Sequence, residues 1–349
     1  MEIELYNHIY NKEVKALFLD GIENENTKKA YLTLFSQISE TEKLYHKDIF
    51  DMTIAELTEC LETLQKTTFL SAASSVSKIV SYWKWSINPG KFTKNNLPLS
   101  WLMSKKTEDL VPKTALENSY ISEDEMYMIA EQECENAIDG AEVVLLYRNV
   151  CGYQMSELRL LKESDIDFNN NTIKIEGTVK INNEVIDSSR TLQLSDRDIT
   201  ILKEAVEEKK YVKRDKNVME DINKENQDED SYKVYDLIPS EYLFKYLDNN
   251  RNEDKINTPI DTNKLTMRLK KVFKDHRKPQ VNAKKIIMSA IINDVIKLDK
   301  DLNEISYEEY VEILRKYWKD TKKNSVNRVK INNLKKNCDL LLKNKIIER

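Results

Sequence analysis

Leu145-Leu146-Tyr147, followed by Cys151-Gly152-Tyr153-Gln154-Met155-Ser156-Glu157-Leu158, marks a change of architecture within a chain of 349 residues. The apolar run around Val143–Tyr147 reads as a buried helix, because no polar stripe interrupts it. After Leu158 the helical period gives way to alternation. Thr172–Glu176 alternates, Asn182-Asn183 supplies a polar turn, and Arg190–Leu194 alternates again, which predicts a β-hairpin. Upstream, Ser122 and Glu125 predict a capping box that opens a helix. Downstream, residues 204–255 are charged and Asn-rich, with few large apolar side chains before Tyr235, and predict one helix and then a surface loop. From Lys264 on, the pattern is helical again.

Residues 1–104 read as helices throughout. Tyr31, Leu34, Phe35 and Ile38 keep one apolar stripe, and Thr53 with Glu56 forms a capping box before the stripe Ile54, Leu57, Leu61 and Leu64. A third helix from about Leu70 to Trp85 is expected to turn Leu70, Ala73, Val80 and Trp83 inward, leaving Ser71, Ser75 and Lys78 on its other face. Asn88-Pro89-Gly90 stops it. Residues 105–117 are polar and read as a linker, so the expected domains are 1–104, then 118–349 with a basic tail. The fold class is mainly α with a small antiparallel sheet.

Composition narrows the function classes. Lys and Arg total 55 against 60 Asp and Glu, a net charge of −5, so a uniformly basic coat is excluded. The charge is uneven: Lys264–Arg349 holds 23 basic and 11 acidic residues, a candidate polyanion-binding region. Only five Gly are present, which disfavours Gly-rich phosphate loops. Cys60, Cys134, Cys151 and Cys338 are scattered without a C-x-x-C pair, and with three His they do not suggest a zinc site. No metal or cofactor is expected. Neither a signal peptide nor a membrane span is legible, and free thiols suit a reducing cytoplasm. His8, His46 and His276 read as surface or capping residues. Glu207-Glu208 and Asp228-Glu229-Asp230 read as solvated acidic stretches.

The order of these segments resembles the tyrosine recombinases, or phage-type integrases. Asn26-Thr27-Lys28-Lys29-Ala30-Tyr31 resembles the first helix of their core-binding domain, Asp48–Leu64 the second, and Phe69–Ser86 the last, ending in Tyr82-Trp83-Lys84-Trp85. Cys151–Leu158 is similar to the family's T-G-x-R-x-S-E-L signature. Leu161-Lys162-Glu163-Ser164-Asp165-Ile166-Asp167, Arg190-Thr191-Leu192-Gln193-Leu194-Ser195 and Tyr242-Leu243-Phe244 continue the likeness, which covers roughly residues 22 to 330.

In that family a Tyr oxygen attacks a DNA phosphodiester, two Arg hold the non-bridging oxygens, and a hairpin Lys protonates the leaving oxygen. Here the first Arg falls on Gln154, which is neutral. Lys180 matches the hairpin Lys. The His or Lys of the H-x-x-R box becomes Asn282, and its Arg becomes Lys285, which loses the planar fork. Trp318 fills the late His/Trp position. The nucleophile falls near Asn327, and no Tyr follows Tyr317. The resemblance therefore implies a recombinase fold without strand cleavage, similar to recombinase-fold lysogeny repressors of temperate phages. That is a sequence-specific regulator encoded by a phage or mobile element and acting in the bacterial cytoplasm.

The expected partner is double-stranded DNA, gripped by two domains closing like a C. Lys28, Lys29, Ser71, Ser75, Lys78, Arg190, Lys284, Lys285, Lys322 and Lys323 are the candidate contacts. The tail, with Lys319, Arg328, Lys330, Lys335 and Lys336 beside Val329, Leu334, Leu340 and Leu341, suits docking on a neighbouring protomer or direct DNA contact. A small protein or peptide antagonist would fit a repressor. Two alternatives are an atypical recombinase or relaxase using Tyr310 or Tyr317, and an accessory factor that bends DNA.

Overall fold

The computed structural model describes residues 8–88, 92, 97–104, 111–181, 184–187, 189–214, 232–249, 254–317 and 328–347. They form two compact units. The first runs to Glu117 and also takes the C-terminal residues from Asn332; the second runs from Asn118 to Ile331. No described helix is long and apolar enough to cross a membrane.

The first unit is helical: α1 (Lys12–Asp20), α2 (Glu25–Tyr45), α3 (Ile54–Thr63), α4 (Phe69–Ile87), α5 (Leu97–Ser104) and α6 (Lys113–Glu117). Tyr31, Leu34, Phe35 and Ile38 are buried as the stripe on α2 requires. The Thr53–Glu56 capping box is present at α3. The phase of α4 differs from expectation. Leu70 is 52% exposed, and the buried face is Ala72, Ser75, Ile79, Tyr82, Trp83 and Ser86. Tyr82 sets this phase. Its ring lies 4.9 Å from Phe35 and 5.0 Å from Phe18, and its hydroxyl donates to buried Asp48 at 3.0 Å. Asp48 belongs to a buried polar group with Lys15, whose ammonium reaches Glu42 at 2.6 Å; burial pushes the Glu42 carboxyl up to about 7. The end of the expected linker is not a linker: α6 buries Ala115 and Leu116.

The second unit is built on α8 (Ala137–Tyr147), buried on almost every side, as the run at 143–147 predicts. It follows α7 (Glu123–Met128) and a π-helical turn, Ile129–Glu133. Gly140 lets α8 meet that turn: a Cβ there would lie 2.5 Å from the Ala130 carbonyl oxygen. Beyond α9 (Ser156–Leu160) come β1 (Ile166–Asp167), β2 (Thr172–Ile175), β3 (Thr178–Ile181), β4 (Glu184–Asp187) and β5 (Arg190–Gln193). β1, β2 and β5 form one antiparallel sheet, with Ile175 opposite Arg190, and β3–β4 is a separate hairpin.

Then follow α10 (Asp196–Glu207), an antiparallel pair β6 (Lys210–Arg214) and β7 (Tyr232–Asp236), α11 (Thr262–Asp275), α12 (Ala283–Ile296) and α13 (Tyr307–Tyr317). The pair β6–β7 corrects the expected loop across 204–255. Tyr211 drives it by burying its ring, and its hydroxyl donates to Asp139 at 2.8 Å. Asp228–Asp230 lie outside the described residues. Glu208, read as solvated, instead caps α8 by accepting from the amides of Ala137 and Ile138 at 3.0 and 2.9 Å. The last helix, α14 (Arg328–Lys343), groups with the first unit from Asn332 on, whereas the expected domain division had placed the whole tail with the second.

Candidate nucleic-acid interface

In the first unit, one exposed face joins α2 and α4. Lys29, Thr33 and Gln37 are spaced by four residues along α2 and are exposed. On α4, Ser74, Ser77 and Ser81 form an exposed row of small hydroxyls. Lys66 connects the two helices. Its ammonium donates to the Gln37 side-chain oxygen at 2.9 Å. Burial, then the nearby charge of Lys78, pulls the Lys66 pKa down. Lys78 in turn donates to Ser74 at 2.6 Å. Two cations are thus held near uncharged donors and acceptors, the combination that positions a phosphate backbone and reads base edges.

Of the expected contacts here, Lys29 and Lys78 fall on or beside this face. Lys28 pairs with Glu25 at 3.1 Å. Ser71 is spent in a capping box with Thr68, and Ser75 is 6% exposed and faces the core. Gln37, Lys66, Ser74, Ser77 and Ser81, not among the expected contacts, also lie on this face. The signal for the serines was present in their i, i+3, i+7 spacing, once α4 is phased on Tyr82 instead of Leu70.

In the second unit, the signature segment forms a tight turn ahead of α9. Gly152, Gln154 and Met155 all have positive φ, at 70°, 53° and 56°. For Gln154 and Met155 this region costs about 1–2 kcal/mol each. The surroundings hold the turn in place. The Ser156 hydroxyl donates to the Thr178 carbonyl at 3.1 Å and accepts from the Thr178 amide at 3.0 Å, while Thr262 donates to the Gln154 carbonyl at 2.8 Å. Glu157 is fully buried between Gly152 and Gly177, where a Cβ on either glycine would come within 2.7 Å of the Glu157 Cγ. Its carboxylate accepts from the Cys151 amide at 2.8 Å and from Arg190 at 2.7 and 3.3 Å.

Arg190 also donates to the Asn149 carbonyl at 2.9 Å, and Asn149 donates to the carbonyls of Lys316 and Tyr317 at the end of α13. Arg190, expected on DNA, is therefore taken up by an internal carboxylate. The physical reason is charge: Glu157 has no exposure and needs a cation beside it.

Gln154 itself is exposed. Asn282 caps α12, its side chain accepting from the Lys285 amide at 3.3 Å. Lys284 is exposed. Lys285 is half-buried, its pKa lowered by burial, and no carboxylate among the described residues pairs with its ammonium. Lys180 lies in β3 opposite Val185. Trp318, Lys319, Lys322, Lys323 and Asn327 lie outside the described residues. Of the two late tyrosines, Tyr310 is buried and donates to the Leu302 carbonyl at 3.2 Å. Tyr317 donates to Asp294 at 3.2 Å, and burial, followed by the Asp294 charge, raises its pKa. His276, read as a surface or capping residue, is the C-cap of α11, and its ring bridges Glu125 and Glu133. No group of three or more His, Cys, Asp or Glu side chains among the described residues could hold a metal ion.

The chain is thus a helical unit followed by a helical unit with small antiparallel sheets, the latter carrying this turn. Residues 9–88 match the family model "MrpR, N-terminal core-binding domain" and residues 120–339 match "MrpR, C-terminal catalytic domain". The chain belongs to the MrpR family. A curated relative is the SPbeta prophage-derived uncharacterized protein YopR of Bacillus subtilis (strain 168), 26% identical over 203 residues. The match spans 58% of this chain and 60% of that protein.

Among solved structures, the chain is similar to XerA recombinase at 13% identity and a TM-score of 0.37, with 100% of both chains covered. It is also similar to the Tn1549 transposon integrase in complex with a circular intermediate DNA, at 12% identity and a TM-score of 0.35, covering 88% of this chain and 94% of that one. The same integrase with transposon right end DNA gives 14% identity and a TM-score of 0.34, covering 92% and 98%.

Proposed function

We propose that this protein binds a specific DNA sequence without cutting it, and serves as a transcriptional repressor of a prophage or mobile element. One observation carries the reading: among the described residues, Arg190 and the two late tyrosines, the groups expected near a phosphodiester, are each engaged within the fold. Arg190 is bound to buried Glu157, Gln154 is neutral, Tyr310 is buried and Tyr317 is tied to Asp294. Burial and then the Asp294 charge raise the Tyr317 pKa, and a phenol held protonated is a poor nucleophile for the covalent route. The face of Lys29, Gln37, Lys66, Ser74, Ser77, Lys78 and Ser81 keeps what recognition needs.

In this reading the two units would close around duplex DNA, with Lys284 and Lys285 meeting phosphate from the second unit. Occupancy of a promoter would exclude polymerase in the bacterial cytoplasm, and a small protein or peptide antagonist would relieve it. The matched prophage-derived relative is consistent with such an origin. The test is to sequence genomic fragments retained by the protein from its own host and footprint them. Discrete footprints over promoters support a repressor. Footprints confined to a recombination site, with bending, would favour an accessory factor instead.

A further inference from the structure

The last helix is far more enclosed than a tail. In α14 the side chains of Ile331, Leu334, Cys338, Leu340 and Leu341 are buried, and of residues 331–343 only Asn332 and Lys343 are exposed. The spacing 331, 334, 338, 341 is one helical stripe. From Asn332 on this helix groups with the first unit, and its Lys336 ammonium lies 3.6 Å from the ring centre of Phe69, the first residue of α4. A Lys over an aromatic face at that distance is an attractive contact.

We propose that α14 is a strap of the first unit, supplied from the far end of the chain, so that the polypeptide crosses between the units twice and not once. Two features favour this over the expected roles of the tail. The apolar stripe that would seat on a second copy is already covered within one chain. And α14 does not plug the candidate DNA face, because Ser74, Ser77 and Ser81 stay exposed with the helix in place. The strap therefore leaves this face open. Resting on the DNA-binding reading, the consequence is a second tether: once one unit holds DNA, the other is kept at higher effective concentration, which slows release.

Cys338, buried at the centre of the stripe, reports the strap in the unmodified full-length chain. Thiol labelling resolved by peptide mass spectrometry should modify Cys338 at least about 100-fold more slowly than in denaturant, as expected for a helix that opens only rarely. Light scattering should show that this protection belongs to a monomer and persists on dilution. Leu334→Asp should speed Cys338 labelling and raise hydrogen exchange at Phe69–Ser71, leaving α8 unchanged. Cys338 labelled as fast as an unfolded thiol would overturn the strap. Protection that tracks dimer concentration would overturn it in favour of exchange between copies. With DNA, Leu334→Asp should dissociate about 10-fold faster, and an unchanged rate would overturn the second tether. A protected Cys338 in a protein that retains no DNA would leave the strap standing and refute the DNA-binding reading.

Discussion

Neutralising Glu157 tests whether Arg190 serves the fold or the DNA. The carboxylate has no exposure and accepts from the Cys151 amide and twice from Arg190; Arg190 is 19% exposed and also donates to the Asn149 carbonyl. Removing one partner of a buried ion pair costs about 3–5 kcal/mol. Glu157→Gln leaves behind the partner that still meets water and a carbonyl, so its cost sits at the low end, about 3 kcal/mol. Arg190→Met leaves a fully buried carboxylate without its cation, and its cost sits at the high end, about 5 kcal/mol. The double variant removes both charges and should be far less destabilised than the two single losses combined, with a coupling of about 3 kcal/mol. Urea unfolding followed by far-ultraviolet circular dichroism reads all three. The reasoning is refuted if Arg190→Met unfolds within about 0.5 kcal/mol of the parent and loses DNA affinity instead.

Glu142 is fully buried on α8, neither of its oxygens has a hydrogen-bond partner among the described residues, and burial followed by the Asp139 charge holds its carboxyl well above the usual 4.5. A carboxyl raised in the fold stabilises fully below its unfolded value and loses that contribution as pH rises toward the folded one. Unfolding free energy of the second unit should therefore decline above about pH 4.5, by up to about 1.4 kcal/mol per pH unit from this group, and Glu142→Met should flatten that slope; an unchanged slope counts against it. On DNA, Lys66→Gln and Lys78→Gln should each lower the slope of log affinity against log salt by about 0.9, whereas Ser75→Ala should alter stability but not that slope. At the signature turn, Gln154→Gly removes a left-handed side chain and should stabilise by about 0.5–1 kcal/mol, measured by thermal melting; destabilisation would show that the turn is not strained there.

Much of this was legible in the residues because local rules decided it. The capping box at Thr53, the stripe on α2 and the buried run at 143–147 all follow from spacing alone. The phase of α4 did not, because Leu70 and Val80 offer as plausible a stripe as Ile79 and Tyr82 until the aromatic cluster around Phe18 and Phe35 is assembled. The strand pair β6–β7 was hidden for a similar reason. Its one strongly buried ring, Tyr211, has its reason for burial in Asp139, 72 residues earlier.

At the site, the missing charge at Gln154 could be read directly, but the capture of Arg190 by Glu157 could not. That pairing spans 33 residues and depends on two glycines opening space for a carboxylate. The docking of α14 on the first unit is longer-range still, and a basic amphipathic tail does not name its own partner.

Recognition without strand cleavage is tested most directly on a denaturing gel. Purified protein is incubated with a labelled genomic fragment that it retains, supercoiled and linear, and quenched in detergent. A non-cleaving protein retains the fragment fully before denaturation and afterwards leaves neither a nick nor a protein–DNA adduct, also with Gln154→Arg. An adduct or nick that disappears on Tyr317→Phe or Tyr310→Phe would contradict it and make the protein a recombinase.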